Sequence, residues 1–188
     1  MQDPLVWIDL EMTGLDPTSD VILEVAAIIT DGQLDHVIEG PHTVIHASED
    51  QLSSMPEIVE KMHESSGLTA AVRASSMTVP EAEQTVLEFI KSHIPEPGVG
   101  LLAGNSVHAD RSFLVRYMPS IVDHLHYRIV DVSTVKELAR RWNPDLIKEA
   151  PVKDGDHRAL ADIRESIDEL RYYRQSFFKE PAERQSPQ

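Results

Sequence analysis

The residues best able to do chemistry in this chain are acids. Asp9 and Glu11 lie two apart at the end of an apolar run, Leu5 to Ile8. In a strand, a period of two puts both carboxylates on one face of the sheet. Two acids side by side at the end of a buried strand repel each other and are costly to desolvate. A divalent cation would neutralise them, and a solvated strand edge would also accommodate them. Asp110 ends the segment Gly104 to Asp110, which follows an apolar stretch and opens a helix. The C-terminal end of such a strand is where α/β sheets place ligands, although an acid there also suits the positive end of a helix. His157 and Asp162 lie five apart, which on an ideal helix separates them by about 140°. They come together if Asp162 is on the helix and His157 just precedes it, on the Asp154-Gly155-Asp156 loop. A His with a pKa near neutrality beside an attacking water can act as a general base. It can also be a solvated loop side chain, and the chain has nine His residues. Taken as a set, four carboxylates and one His can hold two cations about 3.5–4 Å apart, the arrangement used for in-line phosphoryl displacement.

Several elements must position these groups. Residues 5–10 and 21–30 read as strands, separated by the turn-rich Met12 to Asp20. Asp31-Gly32 is a hairpin signal, followed by a third strand over about 34–45 that Gly40-Pro41 interrupts. Residues 50–63 have helical spacing, with Ser53 or Ser54 as caps. Pro80 to Ile94 reads as a helix capped by Thr78. A short strand lies within 98–104, a helix over 109–118 ended by Pro119, and a strand over 128–132. Ser133 then caps a helix to about Trp142, residues 143–156 form a loop, and a long helix runs from about Arg158 to Phe178. Three antiparallel strands followed by alternating helix and strand predict an α/β fold, a mixed sheet with helices packed on it. No internal repeat or linker divides the chain, so a single domain is expected over 1–178, with a polar, disordered tail over 179–188.

Composition narrows the function. With no Cys, a disulfide framework or thiolate metal site is impossible, and oxygen or imidazole ligands favour Mg²⁺ or Mn²⁺ over structural zinc. The N-terminus carries Asp3 and Pro4 rather than a basic, then apolar, segment, and Val21 to Ile29 is interrupted by Glu24. No targeting signal and no membrane span are expected, and the placement expected is cytoplasmic. A net charge of −15 argues against a protein that grips long duplex nucleic acid. A nuclease of this charge needs a short substrate, or bound cations to supply positive charge.

The order Asp9-x-Glu11, Asp110, His157-x4-Asp162 resembles that of the DEDDh exonucleases, which have a ribonuclease H-like fold. Within them the chain is most similar to the oligoribonuclease family. The segments 6–16 (VWIDLEMTGLD), 102–110 (LAGNSVHAD), 126–138 (HYRIVDVSTVKEL) and 157–163 (HRALADI) carry the resemblance, with 66–69 (SGLT) adding to it. It spans about residues 5–175. The resemblance implies a five-stranded mixed sheet with helices on both faces. It implies that Asp9, Glu11, Asp110 and Asp162 bind two Mg²⁺ or Mn²⁺ ions, with His157 taking a proton from the attacking water. It implies 3′-to-5′ hydrolysis of very short RNA, mainly dinucleotides, to nucleoside 5′-monophosphates. Leu15 would wedge between two bases; Ser106, Arg128 and Ser133 would cap the 5′ phosphate; and Tyr127 would reach that cap from the second subunit of a homodimer.

The physical chemistry of such a cap is consistent with this. Arg128 can grip a terminal phosphate through two parallel hydrogen bonds, and hydroxyls complete the shell. A cap of this kind measures length and needs only a local pocket, which reconciles a nuclease with the acidic charge. Arg128 and Tyr127 can alternatively be ordinary exposed strand residues, and Ser133 only a helix cap. One departure concerns the helix before SGLT, where the family commonly has a base-stacking Trp and Ile58 stands here. Stacking on an aromatic group is worth ~1–3 kcal/mol per base, so base contact there changes while the acid set does not. Met62 reads as core and His63 as surface; His108 reads as structural, Trp7 and Trp142 as core or interface, and Arg140-Arg141 as a solvated face. The rivals are a DEDDh exonuclease for longer DNA or RNA, a non-catalytic nucleotide-binding module, and a cation-binding protein.

Overall fold

A computed structural model describes residues 1–151 and 158–178; residues 152–157, with His157, and the tail 179–188 lie outside the described residues. Strands β1 (Leu5–Met12), β2 (Ile22–Thr30) and β3 (Val37–Val44) form an antiparallel meander, and β4 (Leu101–Gly104) and β5 (His126–Asp131) add in parallel beside β1. The sheet order is β3-β2-β1-β4-β5, the mixed sheet expected of a ribonuclease H-like fold.

The central strand β1 is covered on both faces, and its period of two sorts its side chains between them. Val6, Ile8 and Leu10 join a core with Ala82, Val86 and Ile90 of helix α4 (Val79–His93) and with Phe113 and Leu114 of α5 (His108–Tyr117). Leu5 and Trp7 join the opposite core with Ile163, Ile167 and Tyr173 of α9 (Ala159–Ser176). Burial of each of those isoleucines contributes roughly 1.5–3 kcal/mol. Asp9 and Glu11 continue the odd-numbered row of Trp7, so they face α9, the helix that carries Asp162. Core packing of Trp7 against Ile163 and Ile167 therefore also brings the acids together.

Proline and cap positions account for most differences from the sequence expectations. The segment 50–63 is two helices, α1 (Glu49–Ser53) and α2 (Glu57–Ser65), because Pro56 starts a new one. The cap is Ser48, in a capping box with Gln51, rather than Ser53 or Ser54. A further helix, α3 (Leu68–Ala74), follows Gly67, whose φ of +75° turns the chain. Helix α5 ends just before Pro119, as expected, and Pro119 also occupies the first turn of a further helix, α6 (Pro119–His124), where its missing N–H costs nothing. Pro144 likewise opens α8 (Pro144–Glu149) inside the stretch expected to be a loop. Helix α7 (Val132–Trp142) is capped by Asp131, whose side chain accepts from the Ser133 N–H, and not by Ser133.

Strand β3 runs through Gly40-Pro41 without interruption. Two residues there oppose Ala27 in a bulge on an edge strand, where a proline is tolerated. A Cβ on Gly40 would sit 2.3 Å from the Phe89 ring, so α4 packs closely over this point. The β2–β3 connection spans six residues, and its left-handed position is Leu34 (φ 64°) rather than Gly32. Leu34 is buried in the α9-side core, and Arg171 donates to its carbonyl oxygen; these contacts offset the strain. Trp7 is fully buried and Trp142 is exposed.

Candidate active site

Asp9, Glu11 and Asp162 each bring one carboxylate oxygen to within 4.8 Å of the others. Asp9 and Asp162 are half-buried and Glu11 is buried. Asp110 reaches the same strand end from α5, where its Oδ1 accepts from the Leu10 N–H at 3.0 Å, between Asp9 and Glu11. The electrostatics are unfavourable for the bare site. Burial first, then the charges of Asp162, Glu24 and Asp110, push the Glu11 carboxyl up to about 8, with Arg158 opposing. Burial pushes Asp110 up to about 7, against the hydrogen bonds that favour its ionised form. Carboxylates held together at this cost need protons or a cation. An all-oxygen donor set of this kind suits a hard divalent ion such as Mg²⁺ or Mn²⁺.

Two residues that the sequence did not single out shape this cluster. Glu24 pairs with Glu11 across the β1–β2 ladder and is fully buried. It accepts from the Arg158 guanidinium at 2.6 and 2.9 Å, from the Ala159 N–H at 3.0 Å and from His42 Nε2 at 2.8 Å. Burial alone would raise its pKa, but these partners outweigh burial and hold the carboxyl below its usual range. The first residue of α9 and its cap are thus tied to the strand opposite Glu11, which sets where Asp162 falls in the first turn. His157 lies outside the described residues, yet its neighbour Arg158 is one end of this clamp. The other residue is His63, which is buried, not on the surface as expected. Its Nε2–H donates to the Met12 carbonyl at 2.9 Å, and its Nδ1 lies 3.8 Å from Glu11 Oε2. No spacing within 57–65 marks it out; Met62 is half-buried.

Leu15 is 78 % exposed on the loop that follows β1. Asp20 builds that loop, its carboxylate accepting from Thr13 Oγ1 and the Asp16 N–H, both at 2.9 Å. A Cβ on Gly14 would meet the same carboxylate at 2.5 Å. The Tyr117 hydroxyl donates to the Asp20 carbonyl at 2.7 Å and ties the loop to the helix of Asp110. Ile58 is as exposed as Leu15, at 79 %.

Ser106 and Ser133 meet, with their hydroxyl oxygens 3.0 Å apart. The Ser106 N–H donates to Ser133 Oγ and Asp131 Oδ1, each at 2.9 Å, which holds Ser106 in the left-handed region at φ 50°. Because Asp131 is the helix cap, the Ser133 hydroxyl is released from that duty. Arg128 and Tyr127 stand on β5, both exposed. In this single chain the Arg128 guanidinium lies over the Tyr127 ring, 5.3 Å from its centroid. His108 is exposed, 3.9 Å from Asp131, and Arg140 and Arg141 pair with Glu137 on the α7 surface.

A model of the exonuclease family that includes RNase T matches residues 6–170. The oligoribonuclease of Rhodococcus jostii is 54% identical over 178 residues, 95% of this chain and 89% of that protein. The oligoribonuclease of Marinobacter nauticus is 55% identical over 177 residues, 94% of this chain and 97% of that protein. The mitochondrial oligoribonuclease of Bos taurus is 52% identical over 179 residues, 95% of this chain and 75% of that one. Among solved structures, exonuclease I from Methylocaldum szegediense superposes with a TM-score of 0.65 at 21% identity, over 93% of this chain and 41% of that one. E. coli exonuclease I in a zinc-bound complex with single-stranded DNA gives 0.63 at 19% identity, over 93% and 41%. This chain therefore spans about two fifths of the exonuclease I chains, and at that identity the likeness shows the fold.

Proposed function

The chain belongs to the oligoribonuclease family of exonucleases, and on that premise we propose that it hydrolyses very short RNAs, dinucleotides above all, from the 3′ end to nucleoside 5′-monophosphates. The chain is a nuclease and a hydrolase; substrate length, metal and residue roles are the proposed part. The observation that carries the proposal is the meeting of Asp9, Glu11 and Asp162 at the end of β1, with Asp110 beside them. Two divalent cations, Mg²⁺ or Mn²⁺, held by these four acids would polarise the scissile phosphate and stabilise the leaving 3′ oxygen. His157 takes the proton from the attacking water. Leu15, apolar and exposed, inserts between the two bases. Ser106, Ser133 and Arg128 close on the 5′ phosphate. Tyr127 joins them from the second subunit of a homodimer, and its exposure together with that of Arg128 on β5 is consistent with a site completed by another copy. The exonuclease unit comprises residues 1–178, and cytosolic residence, open to cell fractionation, belongs to the same proposal.

Asp9→Ala and Asp162→Ala test the assignment. Each removes an oxygen ligand, so each is expected to cut dinucleotide hydrolysis by more than about 10³-fold while the far-UV circular dichroism stays that of the parent. Titration with Mn²⁺ by calorimetry should show the matching loss of binding. A metal-dependent, active Asp9→Ala protein would remove Asp9 from the site.

A further inference from the structure

Asn105 stands between the two serines and the helix that carries Asp162, and both polar atoms of its amide are engaged. Its Nδ2 donates to Ser166 Oγ at 2.7 Å and to Glu169 Oε2 at 3.2 Å, while its Oδ1 accepts from Ser133 Oγ at 3.1 Å. The amide has one sensible orientation. Glu169 is buried and accepts also from Lys136 Nζ at 3.0 Å and from the Tyr173 hydroxyl at 3.2 Å. Its carboxylate therefore requires the NH₂ side of Asn105, and the carbonyl side is left for Ser133. Ser133 spends its proton on Asn105 and becomes an acceptor for the Ser106 N–H. The 3.0 Å contact between the two hydroxyls is then donated by Ser106 to Ser133 Oγ, and the Ser106 proton is the one of the pair that can turn from there to a phosphate oxygen. At the other end, Ser166 Oγ donates to the carbonyl oxygen of Asp162 at 2.7 Å. One continuous chain of hydrogen bonds thus runs from Ser106 through Ser133, Asn105 and Ser166 to the residue whose carboxylate enters the acidic cluster.

We propose that Asn105, braced by Ser166 and Glu169, is a positioning residue that sets the span between the serine pair and the acidic cluster, and with it the length of RNA the site accepts. This deepens the phosphate-cap reading above and rests on it. A rigid strut suits a ruler: a shift of about 1 Å in a positioning group is enough to cost ~10²-fold in rate. The span concerns binding of the 5′ end, so KM should respond more than kcat.

The test uses the purified full chain with Mn²⁺ and compares Asn105→Ala and Ser166→Ala with the parent. The substrates are a 5′-phosphorylated dinucleotide, the same dinucleotide without the phosphate, a seven-residue RNA, and the p-nitrophenyl ester of thymidine 5′-monophosphate. For Asn105→Ala, KM for the phosphorylated dinucleotide should rise about tenfold, equivalent to about 1.4 kcal/mol. Its preference over the longer RNA should fall by a similar factor, with hydrolysis of the small ester and the Mn²⁺ dependence unchanged. Ser166→Ala should move in the same direction by less, and it decides by the same criteria if Asn105→Ala does not fold. Parental length preference in the variants overturns the proposal. So does an equal loss on the ester, which would make Asn105 merely a support for the metal site. A parent protein indifferent to the 5′ phosphate would overturn the cap itself, a failure visible before any variant is compared.

Discussion

Glu11 is held where its charge is least welcome. Its carboxyl is pushed from 4.5 up to about 8 by burial and by the acids around it, so the metal-free folded state binds that proton more tightly than the unfolded chain does. The sign follows from linkage: stability of the metal-free protein falls as pH rises from the ordinary carboxylate range toward 8, and a bound cation restores it. Glu11→Gln removes the conflict along with the charge. At pH 8 and without metal it should melt higher than the parent by about 2–5 °C in differential scanning calorimetry, while dinucleotide hydrolysis is lost. A variant that melts lower at pH 8 would show that the site is not strained by its charges. That Asp9 and Glu11 share a face was legible in the sequence, because a strand has a period of two; that Asp162 joins them depends on how α9 packs. His63 was not legible, because nothing in its spacing separates a surface helical His from one tucked beneath Glu11; only the packing of α2 does so.

At the scale of elements, α9 is the helix whose position decides the site, and Glu24 is what holds its first turn. The carboxylate is fully buried with Arg158, Ala159 and His42 around it. Removing one partner of such a pair leaves the other uncompensated and costs about 3–5 kcal/mol. Glu24→Ala should therefore lower the unfolding free energy obtained from urea titrations by that order. The near-isosteric Glu24→Gln keeps the size but loses the charge-assisted bonds to Arg158. It should reduce kcat for a dinucleotide by at least about tenfold, with KM changing less. An unaltered kcat would mean that the clamp does not position Asp162. The antiparallel start of the sheet and the long last helix could be anticipated, from the apolar runs 5–10 and 21–30, the Asp31-Gly32 turn signal and the length of the final helical segment. The short helices could not, because a proline in sequence looks like an end. Pro56, Pro119 and Pro144 all stand at helix starts, where a fixed φ helps and no N–H is missed. The cap of α7 was misplaced for another reason, since Asp131 and Ser133 are both cap-forming types: Asp131 takes it, and Ser133 becomes available for Ser106.

At the scale of the whole molecule, a net charge of −15 and a nuclease activity are compatible if the substrate is short enough to sit in one pocket. The same scale holds the expectation that two copies build each site. If Tyr127 acts across a dimer, a Tyr127→Ala chain and a His157→Ala chain, each strongly impaired alone, should complement on mixing. After subunit exchange about a quarter of parental activity should return, because half the dimers are mixed and each has one intact site. No recovery, with exchange shown by mass spectrometry, would place Tyr127 and His157 in the same chain's site. The central claim, a nuclease that measures a dinucleotide, is tested most directly by one time course. Purified protein with Mn²⁺ would be given a 5′-phosphorylated dinucleotide or a seven-residue RNA, with His157→Ala alongside. The account predicts fast, His157-dependent cleavage of the dinucleotide and much slower cleavage of the longer RNA, and equal or faster cleavage of the longer RNA would contradict it.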